Sequence, residues 1–130
     1  MKAQMTPHLM SKDARKQAEA YVQALGGEIL VVRTYGDNPG APEEMKDQVM
    51  HLALKVGGSN LLFLADSPES VVPSRIVSLS LSFDNEVDAR QAYDRLAEGG
   101  TAKFPFTLQP WGFYGELEDR FGINWMIVKQ

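Results

Sequence analysis

The chain has 130 residues, 44% of them hydrophobic and 23% charged, with a formal net charge of −4 and no cysteine. That length suits one ordinary domain with a single core, and the composition is globular rather than disordered or fibrous. Without cysteine there is no disulfide, thiolate metal site or cysteine nucleophile, and an acidic chain whose 13 Lys and Arg form no run is poorly suited to nucleic acid.

The first predicted element is a strand over Met5–Leu9, with Met5, Pro7 and Leu9 on an apolar face and Thr6 and His8 on a polar one. An amphipathic helix follows, its stripe made by Ala14, Ala18, Tyr21, Val22 and Leu25, its N-cap Ser11 and its end the pair Gly26-Gly27. Strands are then expected over Glu28–Tyr35 and Val49–Val56, separated by the longest loop, Gly36–Glu44, whose two prolines and glycine suit a solvent loop or a flap. Gly57-Gly58 reads as a tight turn into Leu61–Ala65, which is apolar throughout, as in a strand covered on both faces. That run is also the longest apolar stretch and far too short to span a bilayer. No basic start with an apolar core behind it opens the chain, so no membrane partner and a cytoplasmic location are expected.

After a linker over Asp66–Pro73 the plan repeats. Ile76–Phe83 alternates, with Val77, Leu79, Leu81 and Phe83 on one face and Ser78, Ser80 and Ser82 on the other. A second helix has Asp84 or Asn85 as N-cap, a stripe of Ala89, Ala92, Tyr93, Leu96 and Ala97, and Gly99-Gly100 at its end. Strands are expected over Ala102–Phe106, Phe113–Leu117 and Ile123–Val128, with Asp119–Gly122 as a turn closed by the Asp119 carboxylate. Tyr21 and Tyr93, like Gly27 and Gly99, are 72 residues apart, and the same offset makes His8 the counterpart of Ser80. The expected fold is α+β: two βαβββ modules, about 1–66 and 74–130, forming one domain with a cupped, mainly antiparallel sheet and helices on its outer face.

Several segments carry a family resemblance: His51-Leu52-Ala53-Leu54-Lys55-Val56-Gly57-Gly58-Ser59, Leu96-Ala97-Glu98-Gly99-Gly100, Trp111-Gly112 and Asp119-Arg120-Phe121-Gly122-Ile123-Asn124-Trp125-Met126-Ile127. Together they resemble the PhnB-like proteins of the vicinal oxygen chelate superfamily, which also includes glyoxalases, extradiol dioxygenases and bleomycin-resistance proteins. The resemblance implies paired βαβββ modules around a cleft and a homodimer. Some proteins of this subgroup carry the label 3-demethylubiquinone methyltransferase. The chain has no glycine-rich strand-to-helix turn suited to a nucleoside cofactor, which speaks against methyl transfer.

In the superfamily's metalloenzymes the resemblance implies a divalent metal held by His, Gln and Glu from the first and last strands of each module. Here those strands offer His8 and Ser80, then Leu62, Phe63 and Leu64, and Met126, Ile127 and Val128, with no carboxylate in the middle of either last strand. Hydroxyl and aliphatic groups do not replace a carboxylate on Zn²⁺, Ni²⁺ or Fe²⁺, so no metal or other cofactor is expected; His8, His51 and Glu116 are the weak candidates for a non-standard site. His8 is also the candidate catalytic base or ligand-anchoring donor, since imidazole titrates near neutral pH. His8, His51, Ser78, Ser80, Trp111 and Tyr114 form the expected ligand-binding set: imidazoles, a hydroxyl row and aromatic walls suited to flat or apolar ligands. Trp125 is placed in the core or an interface, and Trp111 at the cup rim. The expected function is small-molecule binding in a metal-free pocket between the modules. The alternatives are a lyase or isomerase of the glyoxalase kind, with a non-standard metal site or His8 as base, and a ligand-free structural or regulatory dimer.

Overall fold

Two 12-residue helices, one on each of two sheets, organise the chain. In the computed structural model, which describes residues 1–130, the chain divides into two units, Met1–Val71 and Val72–Gln130. The first contains β1 (His8–Ser11), α1 (Ala14–Leu25), β2 (Gly27–Thr34), β3 (Val49–Val56) and β4 (Asn60–Asp66). The second contains β5 (Ser78–Ser82), α2 (Glu86–Ala97), β6 (Thr101–Gln109), β7 (Gly112–Glu118) and β8 (Asn124–Lys129). Both sheets have four strands, ordered β1-β4-β3-β2 and β5-β8-β7-β6, and in each only the first-listed pair is parallel. The α+β class and the doubled βαβββ plan therefore match the sequence reading.

In the first unit Asp13, not Ser11, is the N-cap: its carboxylate accepts the Lys16 amide at 3.1 Å. Ser11 faces inward from β1, where its hydroxyl donates to Gln17 Oε1 at 2.6 Å while Gln17 Nε2 donates to Tyr21 Oη at 2.8 Å. This satisfied chain explains how a glutamine can be buried at the centre of a helix face beside Ala14, Ala18 and Tyr21. Asp66, at the end of β4, accepts the Ala14 amide at 2.8 Å and the Val49 amide at 2.7 Å, tying the helix start and the β3 start to the sheet.

The first strand lies further along the chain than expected. Its register sets His8 against Phe63, so Met5 would fall opposite Asn60, where β4 begins, and Met5 is left 95% exposed. The loop after β2 holds two 3₁₀ turns, Tyr35–Asp37 and Glu43–Met45, and bonds back onto the β3 approach through Gly36 N to Lys46 O at 2.9 Å and Tyr35 N to Gln48 O at 3.1 Å.

In the second unit Asn85 caps α2 by accepting the Asp88 amide at 2.8 Å, and Ala89, Ala92, Tyr93 and Leu96 are buried against the sheet. Ile76 and Val77 lie outside β5 and are exposed, so the apolar face of that strand is Leu79 and Leu81. Asp119 closes the β7–β8 turn by accepting the Phe121 and Ile123 amides at 2.9 and 3.0 Å, and its second oxygen accepts the Trp125 indole N–H at 2.8 Å. Trp125 is accordingly 2% exposed and belongs to the core of its unit.

Candidate functional site

Each helix covers one face of its own sheet, and period-2 alternation sends the remaining side chains to the other face, which no helix of that unit covers. In the first unit Leu9, Leu64, Leu52 and Val32 are in register on the helix-covered side. The neighbouring row on the open side is His8, Phe63, Ala53 and Val31. One row further along are Met10, Ala65, His51 and Arg33.

His8 and His51 thus share the open face. With strands about 4.8 Å apart and a rise of about 3.3 Å per residue, their Cα atoms are about 12 Å apart. Phe63 stands between the two histidines in the sheet: its ring meets the His51 imidazole edge-on at 4.9 Å between centroids. His8 is exposed at the first position of β1. His8 and Ser80 both lie five residues before their helix N-caps, Asp13 and Asn85, which preserves the expected correspondence.

On the open side of the second unit one row is Ser80, Met126, Glu116 and Phe104, and flanking it are Ser82, Val128 and Tyr114 on one side and Ser78, Asn124 and Glu118 on the other. Ser78 and Ser80 are exposed. Lys103 donates to Asn124 Oδ1 at 2.9 Å and lies 3.7 Å from Glu118, while Asn124 Nδ2 donates to the Ser74 carbonyl. Tyr114 is at the centre of an aromatic corner. Phe104 meets it at 5.8 Å with the planes 63° apart, and Trp111, in the β6–β7 turn and 60% exposed, meets it at 6.5 Å and 62°. Burial, then the negative Glu116 carboxylate and a hydrogen bond to it, raises the Tyr114 phenol above its ordinary range.

Phe104 is the site residue the sequence reading missed. Simple alternation puts Phe104 and Phe106 on the same face, but the β6–β7 register shifts on either side of Phe104. Phe106 turns to the helix side, stacked on Phe113 at 5.6 Å and beneath Arg90 at 5.1 Å. The signal was Pro105, which cannot donate to a ladder and in a strand marks an edge or a bulge; β6 is an edge strand.

The metal implied by the superfamily does not fit this donor set. The open-side residues of β4 are Leu61, Phe63 and Ala65, those of β8 are Asn124, Met126 and Val128, and no three His, Cys, Asp or Glu residues are grouped to hold an ion. His8 and His51 belong to the first unit, whose strand register brings the two imidazoles onto one face, and Glu116 belongs to the second. No helix is long and apolar enough to cross a membrane.

Comparison with known proteins places these features in a family. The model of the family described as 3-demethylubiquinone-9 3-methyltransferase matches residues 3–128. The chain is similar to protein PA1353 from Pseudomonas aeruginosa, at 31% identity over 99% of this chain and 98% of that one, with a TM-score of 0.86. A PhnB protein from Bacillus cereus is 20% identical over 98% and 100% of the two chains, with a TM-score of 0.82. A glyoxylase/bleomycin resistance protein/dioxygenase domain from Frankia shares the fold at 18% identity, covering 99% and 98%, with a TM-score of 0.70. No curated protein matches the chain. The chain belongs to the family described as 3-demethylubiquinone-9 3-methyltransferase.

Proposed function

We propose that this protein binds a small organic molecule on the open sheet faces, without a resident metal, as one cytoplasmic ligand-binding domain that forms a homodimer. One observation carries the reading. In both units a helix covers a single sheet face, and the other presents half-buried or exposed rings beside polar groups: His51 and Phe63 with His8 in the first, Tyr114, Phe104 and Trp111 with Glu116, Ser78 and Ser80 in the second. Sheet faces meant only for water are polar throughout; rings set among a few hydroxyl and titratable groups are what organic ligands need. The exposed Ile76, Val77 and Leu108 support a second copy as partner.

Methyl transfer does not come with the family's name. The junctions from β1 to α1 and from β5 to α2 are Lys12-Asp13 and Phe83-Asp84-Asn85, with no glycine to let a nucleotide approach the backbone.

A thermal-shift screen of a chemically diverse library tests the reading, with His51→Ala and Trp111→Ala alongside. At least one compound class is expected to raise Tm, with the gain reduced in one of the two variants. A screen with no stabilising compound, or stabilisation untouched by both substitutions, overturns it. Sedimentation velocity at micromolar concentration is expected to give a dimer.

A further inference from the structure

We propose that the aromatic corner of the second unit, Phe104, Tyr114 and Trp111 with Glu116, is a binding site for an organic cation of the quaternary or tertiary ammonium class. The inference rests on the small-molecule reading above and names the ligand's chemistry at that face.

Three observations converge. The ring planes of Phe104 and Trp111 are each turned by about 60° from that of Tyr114, as their angles of 63° and 62° show, so the rings make walls and not a stack. Ring faces carry partial negative charge, and an ammonium group with its methyl or methylene shell is the species that several such faces attract together. A ring cluster needed only for packing would bury these surfaces, yet Trp111 is 60% and Phe104 39% exposed.

Glu116 adds a formal negative charge beside the rings. It occupies the row of Phe104, Met126 and Ser80, next to Tyr114. None of the chain's four ion pairs involves Glu116. Lys103, the nearest cation on this face by sequence, is committed to Glu118 and Asn124. The two arginine–ring contacts of the chain, Arg90 on Phe106 and Arg120 on Phe121, use other rings. The corner therefore combines ring faces and a carboxylate with no cation of its own, which is the chemistry an external cation completes and an anion would oppose.

Choline and its neutral isostere 3,3-dimethylbutan-1-ol separate charge from shape. The readout is the Trp111 indole N–H resonance, with the Trp125 indole, buried and bonded to Asp119, as an internal control for intact folding. Choline is expected to shift Trp111 and not Trp125, with a dissociation constant about ten-fold below that of the isostere. Glu116→Gln should reduce that preference to what the ring faces alone supply, and Tyr114→Leu should weaken both probes while the Trp125 resonance stays in place. Equal affinity for the two probes, a preference left undiminished by Glu116→Gln, or no Trp111 shift at hundreds of millimolar choline overturns the cation assignment. If neutral compounds from the library screen still bind, small-molecule binding stands and only its cationic chemistry fails. If the screen also finds nothing, both fail.

Discussion

Glu116 connects two tyrosines that the fold treats differently. The Tyr93 hydroxyl lies 2.9 Å from the Phe104 carbonyl and 3.2 Å from that of Glu116, and its pKa is raised by burial first, then by the Asp94 and Glu116 charges. Tyr114 is raised by burial first and then by Glu116 through both charge and hydrogen bond. A phenol whose folded-state pKa lies above its unfolded value of 10.0 binds its proton more tightly in the folded protein. Its stabilising contribution is complete below that value and is lost as pH rises through the raised one. In an absorbance titration the Tyr93 and Tyr114 phenols are expected to ionise above the ordinary tyrosine value, and stability in urea should fall above about pH 10. Glu116→Gln should move both late ionisations down, Tyr114 further than Tyr93, while leaving the part due to burial. Ionisation of Tyr93 and Tyr114 at the ordinary value would show that these rings are not in the surroundings described.

At the level of elements, the repeat is close in topology and different in packing. Leu64 pairs with Leu52 in the first sheet, and at the equivalent position of the second Ile127 pairs with Gly115. A Cβ at Gly115 would stand 2.8 Å from Tyr93 Cε2 and 2.9 Å from Phe106 Cα. The absent side chain therefore lets Tyr93 sink onto the sheet and reach backbone carbonyls, whereas Tyr21 is bonded by Gln17 on its own helix. Gly115→Ala is expected to destabilise the protein by about 1–3 kcal/mol, as overpacking does. It should also disturb the late tyrosine, because Tyr93 must lift; an unchanged Tm and titration would contradict this account. These details also mark the limit of what sequence could show. The spacing of Tyr21 and Tyr93, the alternation of Val49–Val56 and of the β5 serines, and the glycine pairs were enough to locate both helices and eight strands, the first of them three residues too early. The N-cap at Asp13 was hidden because Ser11 is an equally good capping residue whose hydroxyl is engaged by Gln17, a partner known only once the helix is docked. Phe104 was hidden because a bulge breaks the two-residue period on which its placement depended. The two histidines were legible as residues but not as neighbours of Phe63, which depends on register between strands distant in sequence.

For the whole molecule, the two halves present different chemistry from one plan. The first sheet's open face carries both histidines of the chain, and the second carries hydroxyls, the aromatic corner and Glu116. A chelating metal needs several donors to converge within bonding distance of one point, and carboxylates are the strongest hard donors the superfamily's pattern calls for. In this chain the last-strand residues in register with His8 and Ser80 are Phe63 and Met126, and neither is a carboxylate. A lone imidazole beside a phenyl ring gives only the weak, exchangeable binding that any surface histidine shows. The net charge of −4 adds a diffuse attraction for cations that salt screens away. Elemental analysis after equilibration with Zn²⁺, Ni²⁺, Mn²⁺ and Fe²⁺ in moderate salt is therefore expected to find well under one metal per chain, unchanged in His8→Ala. One metal per chain that disappears with His8→Ala would mean that donors from elsewhere in the protein or from a second copy complete a site on β1, and would turn the metal-free reading into that of a divergent metalloenzyme. The same measurement in Glu116→Gln would then show whether the carboxylate assigned here to a cationic ligand serves the metal instead.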